Sequence, residues 1–203
     1  MSRATHTNEA PDADQHVAID YPAERGSKEA LRLGAHARLR SGTVLYQGSV
    51  IGIRFATGHG VVVREDCRIG DDSSVWTGSV VDYGSVLGDR VKIHSNCYIA
   101  QYSVLEDDVF IGPGVTFAND LYPGNERSAQ LMRGPHVAER AQIGAGSTIL
   151  PYVHIGAGAL VGAGAVVTSN VPEGVVAYGC PARVQGRVED LLDIDDRLAN
   201  RET

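Results

Sequence analysis

Residues 61–117 read VVVREDCRIGDDSSVWTGSVVDYGSVLGDRVKIHSNCYIAQYSVLEDDVFIGPGVTF. An apolar residue returns at every sixth position: Val63, Ile69, Val75, Val81, Leu87, Ile93, Ile99, Leu105, Ile111 and Phe117. Four residues after each beat stands a small or compact one: Cys67, Ser73, Ser79, Ser85, Val91, Cys97, Ser103, Val109 and Val115. A helical turn of about 3.6 residues would scatter these aliphatics around the whole cylinder. A six-residue period belongs instead to the parallel β-helix, whose short strands wind around a triangular core and stack coil on coil. The chain is therefore expected to be all-β, and its function to lie on the outside of the prism.

Working outward, the beat begins at Leu33, Leu39, Leu45 and Ile51, with Thr57 the one weak position, and it resumes at Val137, Ile143, Ile149, Ile155, Val161 and Val167. The 20 residues from Phe117 to Val137 are two more than three hexads, so a loop over 118–136 is expected to leave the prism. Long excursions from a regular scaffold are often functional, a tolerated insertion being the plainer alternative. Residues 1–28 are polar, charged and aperiodic, and read as a mobile arm or irregular cap before a β-helix domain over 29–186. In 187–203, Val188, Leu191, Leu192 and Leu198 have roughly helical spacing, which predicts a short C-terminal helix covering the last coil.

Composition narrows the function. At 203 residues with 43% apolar content, one solenoid domain is expected, and 24 glycines with 6% aromatic residues suit tight corners around a thin core. A net charge of -7 argues against a nucleic-acid partner. The N-terminal stretch lacks a signal-like apolar segment and no run is long enough to span a membrane, so a cytoplasmic protein without membrane attachment is expected. The three cysteines have no metal-ligand spacing; Cys67 and Cys97 occupy the inward slot, Cys180 lies outside the repeat, and no metal is expected.

With three hexads per coil, residues 18 apart become vertical neighbours about 4.8 Å apart. This rule places Asn96 between Gly78 and Gly114, with Gly60 further down, and His94 between Trp76 and Gly112. It also stacks Gln101 between Tyr83 and Asn119, and Tyr102 between Gly84 and Asp120. Polar residues beside missing side chains form a groove suited to a small substrate.

Several of these segments carry a family resemblance: VVVRED (61–66), IGDDSSVW (69–76), VKIHSNCYIAQ (91–101), EDDVFIGPGVTFAND (106–120), GAGAVVT (162–168) and the CPA at 180–182. Over about residues 33–187 the chain resembles the left-handed β-helix acyltransferases, and within them the N-acetyltransferases that acylate the 3-amino group of nucleotide-linked sugars. The resemblance implies left-handed winding, against the right-handed rule for ordinary parallel crossovers. It also implies acetyl-CoA as acyl donor and a homotrimer with active sites between subunits. The nucleotide, UDP or dTDP, and the sugar, amino-uronate or amino-deoxyhexose, stay open.

A neutral sugar amine is already nucleophilic, and a departing thiolate with a pKa near about 8.5 can collect its proton, so positioning and carbonyl polarisation carry most of the catalysis. On that basis Asn96 is expected to orient the amino sugar, and His94 to bind it or assist proton transfer. A hydroxyl acceptor would need an oriented base, with Asp120 or Glu65 as the acids that could reach His94. Arg64, Glu65, Tyr98, Gln101, Asn119 and Asp120 are the candidate substrate-binding residues, each with a solvated surface position as its alternative. For coenzyme A, the low-relief run from Ile155 to Val167 and the preceding repeat nominate Gly144, Gly156, Ala157, Gly162 and Ala163, although sharp corners alone also explain glycine. Arg183 is the candidate phosphate partner. The chain departs from its relatives at Cys180, where Asn is common, and near Ser169, where a basic residue is frequent. The alternatives are a sugar O-acetyltransferase with His94 as base, a catalytically silent sugar-binding β-helix, and, more remotely, a zinc carbonic anhydrase, for which the close histidine pair is missing.

Overall fold

The computed structural model describes residues 10–191. Each hexad becomes a strand of about two residues and a corner, and the strands stack into parallel sheets that form the three faces of a prism. The first face includes Ser74–Val75, Lys92–Ile93 and Phe110–Ile111, the second Val80–Val81, Tyr98–Ile99 and Thr116–Phe117, and the third Val86–Leu87, Val104–Leu105 and His136–Val137. Partners in the regular coils are three hexads apart, as in Ser74↔Lys92↔Phe110. Backbone N–H groups reach the coil above, with His94 N–H on the Ile111 carbonyl at 2.9 Å.

The apolar beat fills the interior: Ile93, Ile99, Leu105, Ile111, Ile143, Ile149 and Ile155 are essentially inaccessible. Each such side chain contributes roughly 1.5–3 kcal/mol through burial. The compact slot does more than pack. Ser79 Oγ donates to the His94 carbonyl at 2.7 Å and accepts the Cys97 N–H at 3.0 Å, tying one corner to the next coil. Ser73 bridges in the same way to the Gly88 carbonyl and the Val91 N–H, both at 3.0 Å. Cys67 and Cys97 hold equivalent buried positions, with burial pushing the Cys67 thiol up to about 12. The weak beat at Thr57 is a polar interior contact, its hydroxyl 2.9 Å from that of Thr43.

Departures from the regular register differ from the sequence expectation in three places. Asp12–Ala13 and Ala18–Tyr21 pair with the coils at Arg38–Leu39 and Val44–Tyr46, so the segment read as an arm over 1–28 already contains solenoid strands. Their step exceeds three hexads because 22–31 cross the edge between the second and third faces as a strap, with Glu24 N–H on Glu65 and Ser27 N–H on Asp66, both at 3.0 Å. The step from Val104 to its partner His136 is also longer than one coil, so the excursion after Phe117 is a surplus on one corner and not three hexads plus two. At the C-terminus an antiparallel hairpin, Val175–Gly179 with Ala182–Arg187, extends the first sheet. Within the helix expected over 187–203, the described residues form a 3-10 turn at Val188–Asp190; residues 192–203 lie outside the described range.

Ile111→Ala is expected to lower stability by about 2–5 kcal/mol through the cavity it leaves. Ser79→Ala should cost about 1–3 kcal/mol by orphaning a buried carbonyl and N–H. Urea denaturation of the two variants against wild type checks both values.

Candidate functional site

His94, Ser95 and Asn96 form the corner between the first and second faces. The His94 ring packs against Phe110 with centroids 4.9 Å apart, and its carbonyl is held by Ser79. Among the described residues, no carboxylate hydrogen-bonds to this ring, so neither Glu65 nor Asp120 orients it. Asn96 is exposed at φ +59°, a left-handed conformation that Asn tolerates better than most residues and that Gly60, Gly78 and Gly114 share in the same column. A Cβ at Gly78 would come within 2.7 Å of Asn96 Oδ1, whereas nothing but Gly146, at 3.9 Å, approaches one at Gly114. The gap expected around Asn96 is therefore present, and it opens upward.

Above this corner the edge carries only small side chains and a proline. Gly112, Pro113 and Gly114 are followed by Gly144, Ala145 and Gly146, then Gly162, Ala163 and Gly164. Glycine at 144 has a structural cause, since a Cβ there would meet the Ala163 nitrogen at 2.5 Å. Gly156 is likewise forced by the Glu173 nitrogen at 2.4 Å, and with Ala157 it lies on the edge between the third and first faces, away from His94. The residues nominated for coenzyme A thus divide: Gly144, Gly162 and Ala163 continue the His94 edge, and Gly156 and Ala157 do not. Arg183 is exposed at the top of the first sheet, paired in register with Tyr178, whose side chain covers Gly162.

The other nominated residues occupy the second face and its far edge. Tyr98 lies on the face, donating its hydroxyl to Asp82 Oδ2 at 2.6 Å; burial and this bond together push its pKa up to about 12. Asp82 is fixed in turn by the Tyr83 N–H at 2.7 Å. Glu65 corrects the sequence expectation, because it is fully buried. Burial alone would raise its pKa, but the Arg64 guanidinium at 2.7 Å and backbone N–H groups, including that of Glu24, outweigh it and hold the carboxylate at about 2. Arg64 is engaged with this acid and also lies 4.9 Å above the Tyr46 ring. Gln101 remains half-buried at the same edge, and Tyr102 stands over Gly84, but Asn119 and Asp120 do not stack on them because the chain has left the coil. The Asn119 carbonyl accepts the Arg133 N–H at 2.9 Å and Asp120 caps the Tyr122 N–H at 2.8 Å, both within the loop. One chain therefore does not gather all these groups into a single cleft.

The sequence reading missed a polar cluster on the third face. His136 Nε2 is 2.7 Å from Glu106, whose second oxygen accepts the Glu139 N–H at 3.1 Å, and the His136 and His154 rings meet edge to face at 4.9 Å. The three-hexad spacing between the two histidines was a usable signal; the Glu106 contact was hidden by the loop's length.

The Glu65 ion pair predicts an acid-sensitive contribution. Its carboxylate is lowered from an ordinary 4.5 to about 2, so the stabilisation is complete above 4.5 and is lost as pH falls toward 2. Wild type should exceed Glu65→Gln in stability near neutrality, and the difference should shrink across that window in denaturation at stepped pH.

Comparisons with known proteins agree with the architecture. Residues 84–119 and 134–169 match the family described as bacterial transferase hexapeptide, six repeats. The galactoside O-acetyltransferase of Lactococcus lactis is 36% identical over 86 residues, covering 40% of this chain and 42% of that protein. The serine acetyltransferase of Escherichia coli is 37% identical over 103 residues, 49% of this chain and 36% of that protein. The chain thus spans about four-tenths of the length of these curated relatives. A hexapeptide-repeat acetyltransferase from Vibrio cholerae, solved with acetyl coenzyme A, has a TM-score of 0.50 at 26% identity, covering 60% of this chain and 71% of that one. A UDP-N-acetylglucosamine acyltransferase from Bacteroides fragilis shares the fold, with a TM-score of 0.64 at 12% identity over 92% of this chain and 82% of that one. Coils that repeat every three hexads agree with the family match at 84–119 and 134–169, and the chain has a hexapeptide-repeat β-helix fold similar to that of these solved transferases.

Proposed function

We propose that the chain is an acetyl-CoA-dependent N-acetyltransferase acting on the 3-amino group of a UDP- or dTDP-linked sugar, in the synthesis of a surface polysaccharide or other glycan. The observation that carries this reading is the edge between the first and second faces, where His94 and Asn96 stand directly beneath a low-relief track of glycine, alanine and proline. A thin thioester arm fits such a track, its amide groups meeting exposed backbone, and its acyl carbon would end beside Asn96. The lack of a carboxylate on His94 suits an amine, which attacks once neutral and hands its proton to the departing thiolate. The names of the relatives support acetyl transfer, and the coenzyme in the Vibrio cholerae structure supports the donor. Because the candidate residues lie at opposite ends of the second face, a second copy is needed to close the pocket, which supports a homotrimer with sites between subunits.

A second reading, O-acetylation, draws on the curated relatives and on the Glu106–His136 pair, the base-and-orienter arrangement a hydroxyl acceptor requires. It places the base on the third face and not at His94.

Release of coenzyme A thiol from acetyl-CoA, measured against a panel of nucleotide-linked 3-amino sugars, tests the primary reading. Asn96→Gly keeps the left-handed corner while removing the amide, and is expected to lower kcat about 100-fold. His94→Asn should mainly raise the sugar KM. Turnover confined to hydroxyl acceptors and abolished by His136→Asn would establish the second reading, and nucleotide-sugar binding without turnover a silent subunit.

A further inference from the structure

The first face carries a trough beside the His94 corner. Its upper part, about 750 Å³, is lined by Lys92, Phe110 and Gln142 together with Arg90, Asp108 and Arg140. Its lower part, about 490 Å³, includes Arg38, Ser74 and Trp76, and the two parts share Asp72. Trp76 is 40% exposed directly below His94, and Phe110 packs on the His94 ring, so one wall is aromatic and ends at the Asn96 corner.

Charge in this trough is sharply divided. Among the described residues, Arg54, Arg90 and Arg140 of its lining are each tied to a carboxylate: Arg54 to Asp72, Arg90 to Asp108 and Arg140 to Glu139. Asp72, Asp108 and Glu139 are thereby paired, while Asp89 and Asp107 also lie within 4 Å of Arg90, at 3.9 and 3.5 Å. Arg38 and Lys92 project from the same face and form no ion pair among the described residues. Arg64, a candidate substrate-binding residue, is spent on Glu65. Lys92, two residues before His94 at the start of the strand that leads into the corner, is an ammonium without an ion pair among the described residues, though Asp108 is close enough to feel its charge.

We infer that this trough binds the nucleoside diphosphate of the acceptor, with Lys92 on the phosphates, Trp76 against the base, and the sugar directed to Asn96. The chemistry is that of a flat heterocyclic ring linked through ribose to two phosphates, matched by an exposed indole that can stack on the ring one coil from an ammonium without an ion pair among the described residues. The assignment rests on the nucleotide-linked acceptor proposed above, and it names the part of the molecule that would select such an acceptor.

Trp76 is the sole tryptophan of the chain, so its fluorescence reports on the trough directly. UDP or dTDP is expected to quench it saturably, Lys92→Met to weaken that binding about tenfold or more, and Lys92→Arg to restore most of it. Pyrophosphate alone should compete without quenching. Calorimetry on the same proteins separates the possible failures. Nucleotide binding that leaves Trp76 silent and is unchanged in Lys92→Met overturns the trough assignment alone. No binding of either nucleotide to wild type overturns it together with the nucleotide-linked acceptor.

Discussion

The hydrogen-bond ladder between coils is the constraint on which everything else rests. Because each backbone N–H in the regular coils reaches the coil above at a fixed step of three hexads, a side chain's neighbours are decided by register and not by sequence proximity. The same constraint fixes the corners. Glycines at 58, 70, 88, 112, 144 and 156 all face the next coil's backbone closely enough that a Cβ would collide. Glycine at those positions is a requirement of stacking, and only the low relief it leaves on an outer edge bears on a ligand. Information about function lies in what the ladder leaves free, which is the outward side chains and the left-handed corner position.

Asn96 shows how the two demands combine. Its column is otherwise largely glycine, and Asn is among the few residues with a side chain that accept φ +59° without heavy cost. The backbone alone therefore accounts for a small residue there, but not for an amide lying in a gap between two glycines. Arg54, Asp72, Arg90 and Asp108 hold equivalent left-handed positions on another edge, where the Arg54–Asp72 and Arg90–Asp108 pairs each link successive coils. Side chains at such positions have a purpose in this chain: one edge uses them as coil-to-coil ties, while Asn96 faces open space with no such partner.

Legibility followed the ladder. The sixfold beat was enough to place the core, the inward serines and cysteines, and the glycines around Asn96, since each depends only on counting. Counting failed wherever the chain steps off. Phe117 to Val137 is a single corner with extra residues, so Asn119 and Asp120 moved out of the stack and His136 moved onto Glu106. The strap over 22–31 has no period at all, and only its contacts reveal that Glu65 is an internal anchor and not a ligand. Strands at Asp12 and Ala18 were missed for the same reason, their register being offset by that strap.

A chain of net charge -7 is an unpromising host for an anionic substrate only if charge is averaged over the molecule. At physiological ionic strength exposed charges are screened over about 8 Å, a reach that takes in adjacent coils and little beyond them. Within that radius the pairing pattern matters more than the sum. Arg54, Arg90 and Arg140 are neutralised by the acids beside them, and removing their charges from the balance also removes those of Asp72, Asp108 and Glu139. What remains on the trough's lining is Arg38 and Lys92 beside the aromatic wall, set against Asp89 and Asp107, which share Arg90 with Asp108. The same salt bridges that tie the coils together thus leave Lys92 as the local charge with work still available to it, and they do so without making the surface basic.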